Sequence, residues 1–117
     1  MSAASGMRVA YGRLDVFSNL AEKARRATLD GDERNLDVLS KLLRLLEQQE
    51  RATASLDALE FQTLLKTRCS VSSYELDFLR QELQLGRPGA GTIDLLGRIA
   101  TALARERSAL ANRISGG

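Results

Sequence analysis

The chain is predicted to be all-α, an antiparallel helical bundle or extended helical hairpin of three to four helices. Three observations predict it. Apolar residues recur at three- and four-residue spacing along most of the 117 positions, and no alternating strand pattern occurs. There is one Pro and no long run of β-branched residues, a balance that favours helix over strand. Hydrophobic residues make up 44% but aromatic ones only 4%, with no Trp, so the core must come from Leu, Ala, Ile and Val. This length suits one domain, 1–117, with flexible tails of small residues expected at 1–6 and 115–117.

The first helical segment runs from about Met7 to Leu29. Ala10, Leu14, Phe17, Ala21, Ala24 and Thr28 make one apolar stripe, and Leu20 widens it. Lys23, Arg25 and Arg26 lie near its end, where cations complement the helix dipole. Gly12 is a mild weakness that can mark the true start. "LDGDER" breaks the pattern, and Asp30 with Glu33 forms a capping-box-like D-x-x-E.

Helical periodicity then holds from Leu36 to Leu65. Val38, Leu42, Leu45, Gln49, Ala52, Leu56, Leu59 and Thr63 form a seam free of charge. Leu39, Leu43 and Leu46 broaden its first half. If continuous, this helix is about thirty residues, roughly 45 Å long. Whether 33–66 is one helix or two stays open, and "RATAS" at 51–55 is its softest point.

Ser72 and Glu75 form an S-x-x-E capping box for a helix over 73–85. That helix is apolar on two sides. Tyr74, Phe78, Gln81 and Leu85 line one stripe, and Leu76, Leu79 and Leu83 another. The last helix runs from about Ile93 to Ile114, with Leu96, Ala100, Leu103, Arg107 and Leu110 between them on one stripe. Arg107 is the only charge in that stripe and needs a carboxylate or a route to solvent. The heptad-like spacing allows coiled-coil packing, including a homodimer.

"GRPGAGT" at 86–92 resembles a phosphate-binding loop without its lysine. Such a loop needs glycines, a lysine for the β and γ charges, a hydroxyl for Mg²⁺ and a strand before it. Here the preceding segment reads as amphipathic helix. Every letter fits a helix junction instead. Gly86 ends one helix, Pro88 blocks its continuation, Gly89 and Gly91 turn the chain, and Thr92 caps the next helix. No nucleotide cofactor is assigned.

Composition excludes several chemistries. His is absent, which removes the commonest general base, metal ligand and pH switch together. Cys69 stands alone, so there is neither an intramolecular disulfide nor a Cys cluster, and a reducing cytoplasm is the simplest setting. Lys66 and Arg68 beside Cys69 could lower its pKa, but nothing nearby would support catalysis, and the thiol is read as structural or surface. The pairs Asp57/Glu60 and Asp30/Asp32 are read as solvated charge. No catalytic, cofactor or metal site is assigned, and the chain is read as not an enzyme. No apolar run is long enough to span a membrane, and the start lacks the apolar core of a secretory signal.

Net charge is only +2. Residues 1–29 carry five basic and two acidic side chains, 30–65 four and eight, and 92–117 four and two. The alternative reading is a small DNA- or RNA-associated protein using Arg98, Arg105 and Arg113, with Arg107 nearby, joined to Lys23, Arg25 and Arg26. It lacks a reading helix and an aromatic stacking platform.

The surplus apolar stripes are the better clue. Leu39, Leu43, Leu46, Leu76, Leu79 and Leu83 exceed what one seam needs, and they are assigned as a partner-binding groove for an amphipathic helix. The layout of "NLAEKARRATLDGDERNLDVLSKLLRLLEQQERATASLDAL" resembles flagellar and type III export chaperones of the FliT and FlgN kind. In those proteins a helix ends at a "GD" turn, here Gly31-Asp32, before a long Leu-rich helix with "LLxxxE", here Leu42, Leu43, Leu46 and Glu47. "LLGRIATALARERSALANRI", with Asn112 near its end, is similar to their final helix. The resemblance implies a cytoplasmic, non-enzymatic chaperone that masks an amphipathic helix of an exported subunit. It carries no catalytic residues. The expectation is thus a small chaperone or adaptor acting by protein binding.

Overall fold

The computed structural model describes residues 3–30, 36–48, 52–85 and 89–116. These form five helices: α1 Ala3–Asp30, α2 Leu36–Glu47, α3 Leu56–Thr67, α4 Ser73–Leu85 and α5 Ala90–Gly116. No strand occurs among the described residues. The all-α expectation therefore holds, with five helices where three to four were expected. α1 passes through Gly12 without a break and begins at Ala3, and α5 reaches Gly116. Most of both expected tails is thus helical. Asp30 is the last residue of α1, and Glu33, the other half of the expected cap, lies outside the described residues, as do Gly86–Pro88.

The two long helices form the most extensive helix pair and run antiparallel. Arg107 Nη1 donates to Asp15 Oδ1 at 2.8 Å, which supplies the carboxylate that its place in the apolar stripe demanded. Further along, a Cβ on Gly97 of α5 would come within 3.2 Å of Arg25 Cδ on α1. Buried Ala21, Ala24 and Ala100 keep bulk low along the same pair.

The segment whose continuity the sequence left open is two helices, α2 and α3. α2 ends at Glu47, and side chains from elsewhere satisfy its last carbonyls. Gln62 Nε2 on α3 donates to the carbonyls of Leu45 (3.0 Å), Leu46 (3.2 Å) and Gln48 (3.2 Å). Arg80 Nη1 on α4 donates to the Leu46 carbonyl at 3.2 Å. Ser55 then starts α3 as N-cap, its Oγ accepting from the Ala58 N–H at 3.1 Å.

The break resets the helical phase. In α3 the core positions are Ala58, Phe61 and Leu65, two residues on from the projected Leu56, Leu59 and Thr63. Phe61 meets Phe17 of α1 edge-on, with ring centroids 5.1 Å apart. The α3–α4 turn closes through Ser70, whose φ of 55° is left-handed, and the Val71 N–H returns to the Leu65 carbonyl at 2.9 Å. α4 opens on the expected capping box. The Ser72 N–H donates to Glu75 Oε1 and the Glu75 N–H to Ser72 Oγ, both at 3.1 Å.

The core joins Leu14 and Phe17 of α1, Leu42 and Leu46 of α2, Phe61 and Leu65 of α3, Leu76, Leu79 and Leu83 of α4, and Leu96, Ile99 and Leu103 of α5. Thr92 does not cap α5. The helix starts at Ala90, with the Thr92 and Ile93 N–H groups turned back to the Gly89 carbonyl at 3.1 Å. Thr92 is buried within the first turn, and its Oγ1 has no hydrogen-bond partner.

Two measurements check this account. Gln62→Leu leaves the α2 carbonyls short of donors and should cost about 1–3 kcal/mol in urea unfolding. Gly12→Ala should stabilise by roughly 0.5–1 kcal/mol, since the added Cβ meets nothing within 4 Å and helical Gly is penalised.

Candidate docking groove

The structure distributes the six assigned groove residues unevenly. Leu46, Leu76, Leu79 and Leu83 are buried and belong to the core shared by the helices of the same chain. Leu39 and Leu43 are half-buried and pack against that core. The surplus stripes therefore build the monomer's interior. Of the stripes read as its seam, Leu42 is buried and other members lie further out. On α4, Tyr74 is 80% exposed and Leu85 72%. On α2, Val38 and Leu45 are half-buried.

Val38 and Leu45 instead face an open groove between α1 and α2. The α1 wall is Val16, Asn19, Leu20 and Lys23, and the α2 wall is Val38, Lys41, Arg44, Leu45 and Gln48. Ser55, the α3 cap, also lines it, and the volume is about 640 Å³. Val16 is 61% exposed, so its side chain is not required by the core. A smaller hollow of about 210 Å³ shares Val16 and continues along α1 past Gly12 to Val9, which is 59% exposed.

The floor of the groove is apolar and part of its rim is cationic. Lys23, Lys41 and Arg44 are exposed. None of them makes an ion pair among the described residues. Several nearby carboxylates are committed elsewhere, whereas exposed Asp37 lies one turn before Lys41 on α2. Glu22 holds Arg25 (3.0 Å) and Arg26 (3.1 Å), and the hydrogen bond from Arg25 pulls its carboxyl below the ordinary value. Glu47 accepts from Gln84 at 2.7 Å. Asp57 and Glu60, expected as solvated charge, both face Arg13 of α1.

A second cleft of about 330 Å³ lies at the C-terminal end of α2, among Leu46, Gln62, Lys66, Ser73, Leu76, Asp77 and Arg80. Its principal polar groups are structural. Gln62 and Arg80 hold the α2 carbonyls, and Arg80 also pairs with Asp77.

The basic residues of the alternative reading do not act as one free patch. Arg98 pairs with Glu75 of α4, Arg107 with Asp15, and Arg25 and Arg26 with Glu22. Arg105 and Arg113 are exposed on α5. Cys69 is buried, and burial, reinforced by Glu106, pushes its thiol up against the smaller opposing effect of Arg98. That is the environment of an inert structural thiol. Among the described residues, no group of three or more His, Cys, Asp or Glu could hold a metal ion. No described helix is long and apolar enough to cross a membrane.

No protein-family model matches the chain, and neither a curated protein nor a solved structure does.

The α1–α2 groove was not read from sequence as a site, although a signal for it exists. Val9 and Val16 stand seven apart on α1, off the Ala10–Leu14–Phe17–Ala21 stripe. Val38 and Leu45 stand seven apart on α2. Val9 and Val16 stand outside the core stripe of α1, and Val38 and Leu45 flank buried Leu42 on α2, so the two pairs mark a second face.

The Glu75 carboxyl sits below its ordinary value of 4.5, first through the Ser72 backbone N–H and then through Arg98. A lowered folded-state value makes its contribution present above about pH 5 and lost as pH falls through the lowered value. Glu75→Gln should therefore reduce stability at pH 7. It should also flatten the decline of melting temperature as pH falls below about 5.

Proposed function

We propose that this chain is a non-enzymatic protein-binding module, a small cytoplasmic chaperone or adaptor that masks an amphipathic helix of a partner. The observation that supports this most is the apolar α1–α2 groove, with Val16 largely exposed beside Leu20, Val38 and Leu45. Val16 is left out of the core and Leu20, Val38 and Leu45 are only partly covered beside it, which points to a surface covered by something else. Two helices with a trough between them suit the docking of a third, whose side chains at i, i+3, i+4 and i+7 would enter it. The gain is burial of these side chains, at about 25 cal/mol per Å² before association costs.

The resemblance to export chaperones of the FliT and FlgN kind agrees with this reading. It gives the partner a class, an exported subunit held before assembly. The docking surface proposed here is the α1–α2 groove. It replaces the Leu39, Leu43, Leu46, Leu76, Leu79 and Leu83 set, most of which the core consumes.

Val16→Asp tests the reading. The position is exposed, so far-ultraviolet circular dichroism should be unchanged. Pull-down of the partner that co-purifies with the wild-type chain should be lost. Retained binding would move the docking surface away from this groove.

A further inference from the structure

The groove has a polarity that its apolar floor alone does not explain. Its cations, Lys23, Lys41 and Arg44, come from both walls and converge on one stretch of the trough. Among the described residues, no carboxylate lines that stretch. The stretch toward Val9 differs. There the only cation is Arg13, held by Glu60 and Asp57, and Asp57 itself lines the hollow. Charge is therefore balanced at one end and left positive at the other.

Arg13, Arg25, Arg26, Arg80, Arg98 and Arg107 each face a carboxylate, whereas Arg105 and Arg113 on α5, like the groove cations, have none among the described residues. Lys23, Lys41 and Arg44 put like charge on one groove, and no ion pair among the described residues offsets it. An anionic occupant would. It would also be steered to the groove from a distance, because close cations on low-dielectric walls concentrate their field.

We infer that the groove takes an acidic amphipathic helix, whose apolar stripe lies along Val9, Val16, Leu20, Val38 and Leu45. Its carboxylates cluster at one end and face Lys23, Lys41 and Arg44. From Val9 to Lys23 the α1 wall spans fourteen residue steps, about 21 Å, so the occupant is a helix of about four turns. Gly12 lies on the wall with open space where its Cβ would be, which gives the occupant's far end room for a large side chain. The inference rests on the helix-binding reading above and adds to it the charge, length and direction of the occupant.

A phage-displayed library of eighteen-residue helical peptides tests it. Each peptide carries a fixed Leu stripe, with Glu, Gln or Lys at every flanking position. Selection on the full chain should enrich Glu at one end of the peptide and leave the other end mixed. A recovered peptide should bind at least about tenfold more tightly than its Lys-flanked counterpart, and the difference should shrink as salt rises. Selection on the Lys41→Glu/Arg44→Glu double variant, exposed positions whose folding is checked by circular dichroism, should abolish or reverse the Glu preference.

Equal recovery of Glu- and Lys-flanked peptides, all lost on Val16→Asp, would overturn the acidic occupant and leave the helix-binding reading standing. No enrichment of any peptide would overturn both. Binding to vesicles of phosphatidylglycerol without binding to any selected peptide would assign the cations to a lipid surface and overturn the inference. A concentration-dependent dimer by sedimentation, lost on Val16→Asp, would give the groove to a second copy and overturn it also.

Discussion

The fold turns on how the C-terminal end of α2 is satisfied. A helix that stops leaves its last carbonyls without partners, and in a buried setting each such group is costly. Here one amide and one guanidinium do the work. Gln62 reaches back from α3 to the carbonyls of Leu45, Leu46 and Gln48, and Arg80 reaches across from α4 to that of Leu46. These contacts tie three helices at one point. They also decide the architecture. A continuous Leu36–Leu65 helix would have placed α3 far from α1, and Phe61 could not have met Phe17. Breaking the helix lets α3 fold back and bring Ala58, Phe61 and Leu65 into the core.

This constraint explains what the sequence did and did not disclose. Helix termini with local signals were readable. Ser72 and Glu75 sit three apart and cap α4 as the spacing implies. "RATAS" contains the true N-cap, Ser55, where bulk falls away. The need of Arg107 for a carboxylate was readable from its neighbours in the stripe, although its partner, Asp15, lies 92 residues away. Thr92 was misplaced because an N-terminal hydroxyl suits a cap in isolation, whereas Gly89 supplies the accepting carbonyl and leaves Thr92 inside.

The choice between two apolar stripes on one helix was beyond local reading. On α2 and α4 each stripe is a plausible core face. Which one turns inward depends on the roll of the helix against its neighbours, and that roll is fixed by long-range contacts such as Gln62 to α2 and Arg80 to α2. On α4 the Leu76–Leu79–Leu83 stripe became core and Tyr74 and Leu85 stayed exposed, while on α2 each stripe gave one core residue, Leu42 and Leu46. The open groove follows from the same rotation. With Leu42 and Leu46 turned inward, Val38 and Leu45 are carried to the α1 side, where no third helix covers them.

The α1–α5 pair has a further consequence for how the molecule holds together along its length. Fully buried apolar side chains begin at Leu14 on α1 and end at Leu103 on α5. Because the two helices are antiparallel, the stretches beyond those residues lie side by side at one pole. There they lean on each other through half-buried Ala10, Leu110 and Ile114. Opening free energy should fall along this shaft, so amide protons near Val9 exchange sooner than those near Ala24. The trough on α1 runs along that gradient. Its cationic end is set in rigid structure and its Val9 end on a yielding arm, a geometry in which an occupant engages the firm end first and orders the arm as it settles.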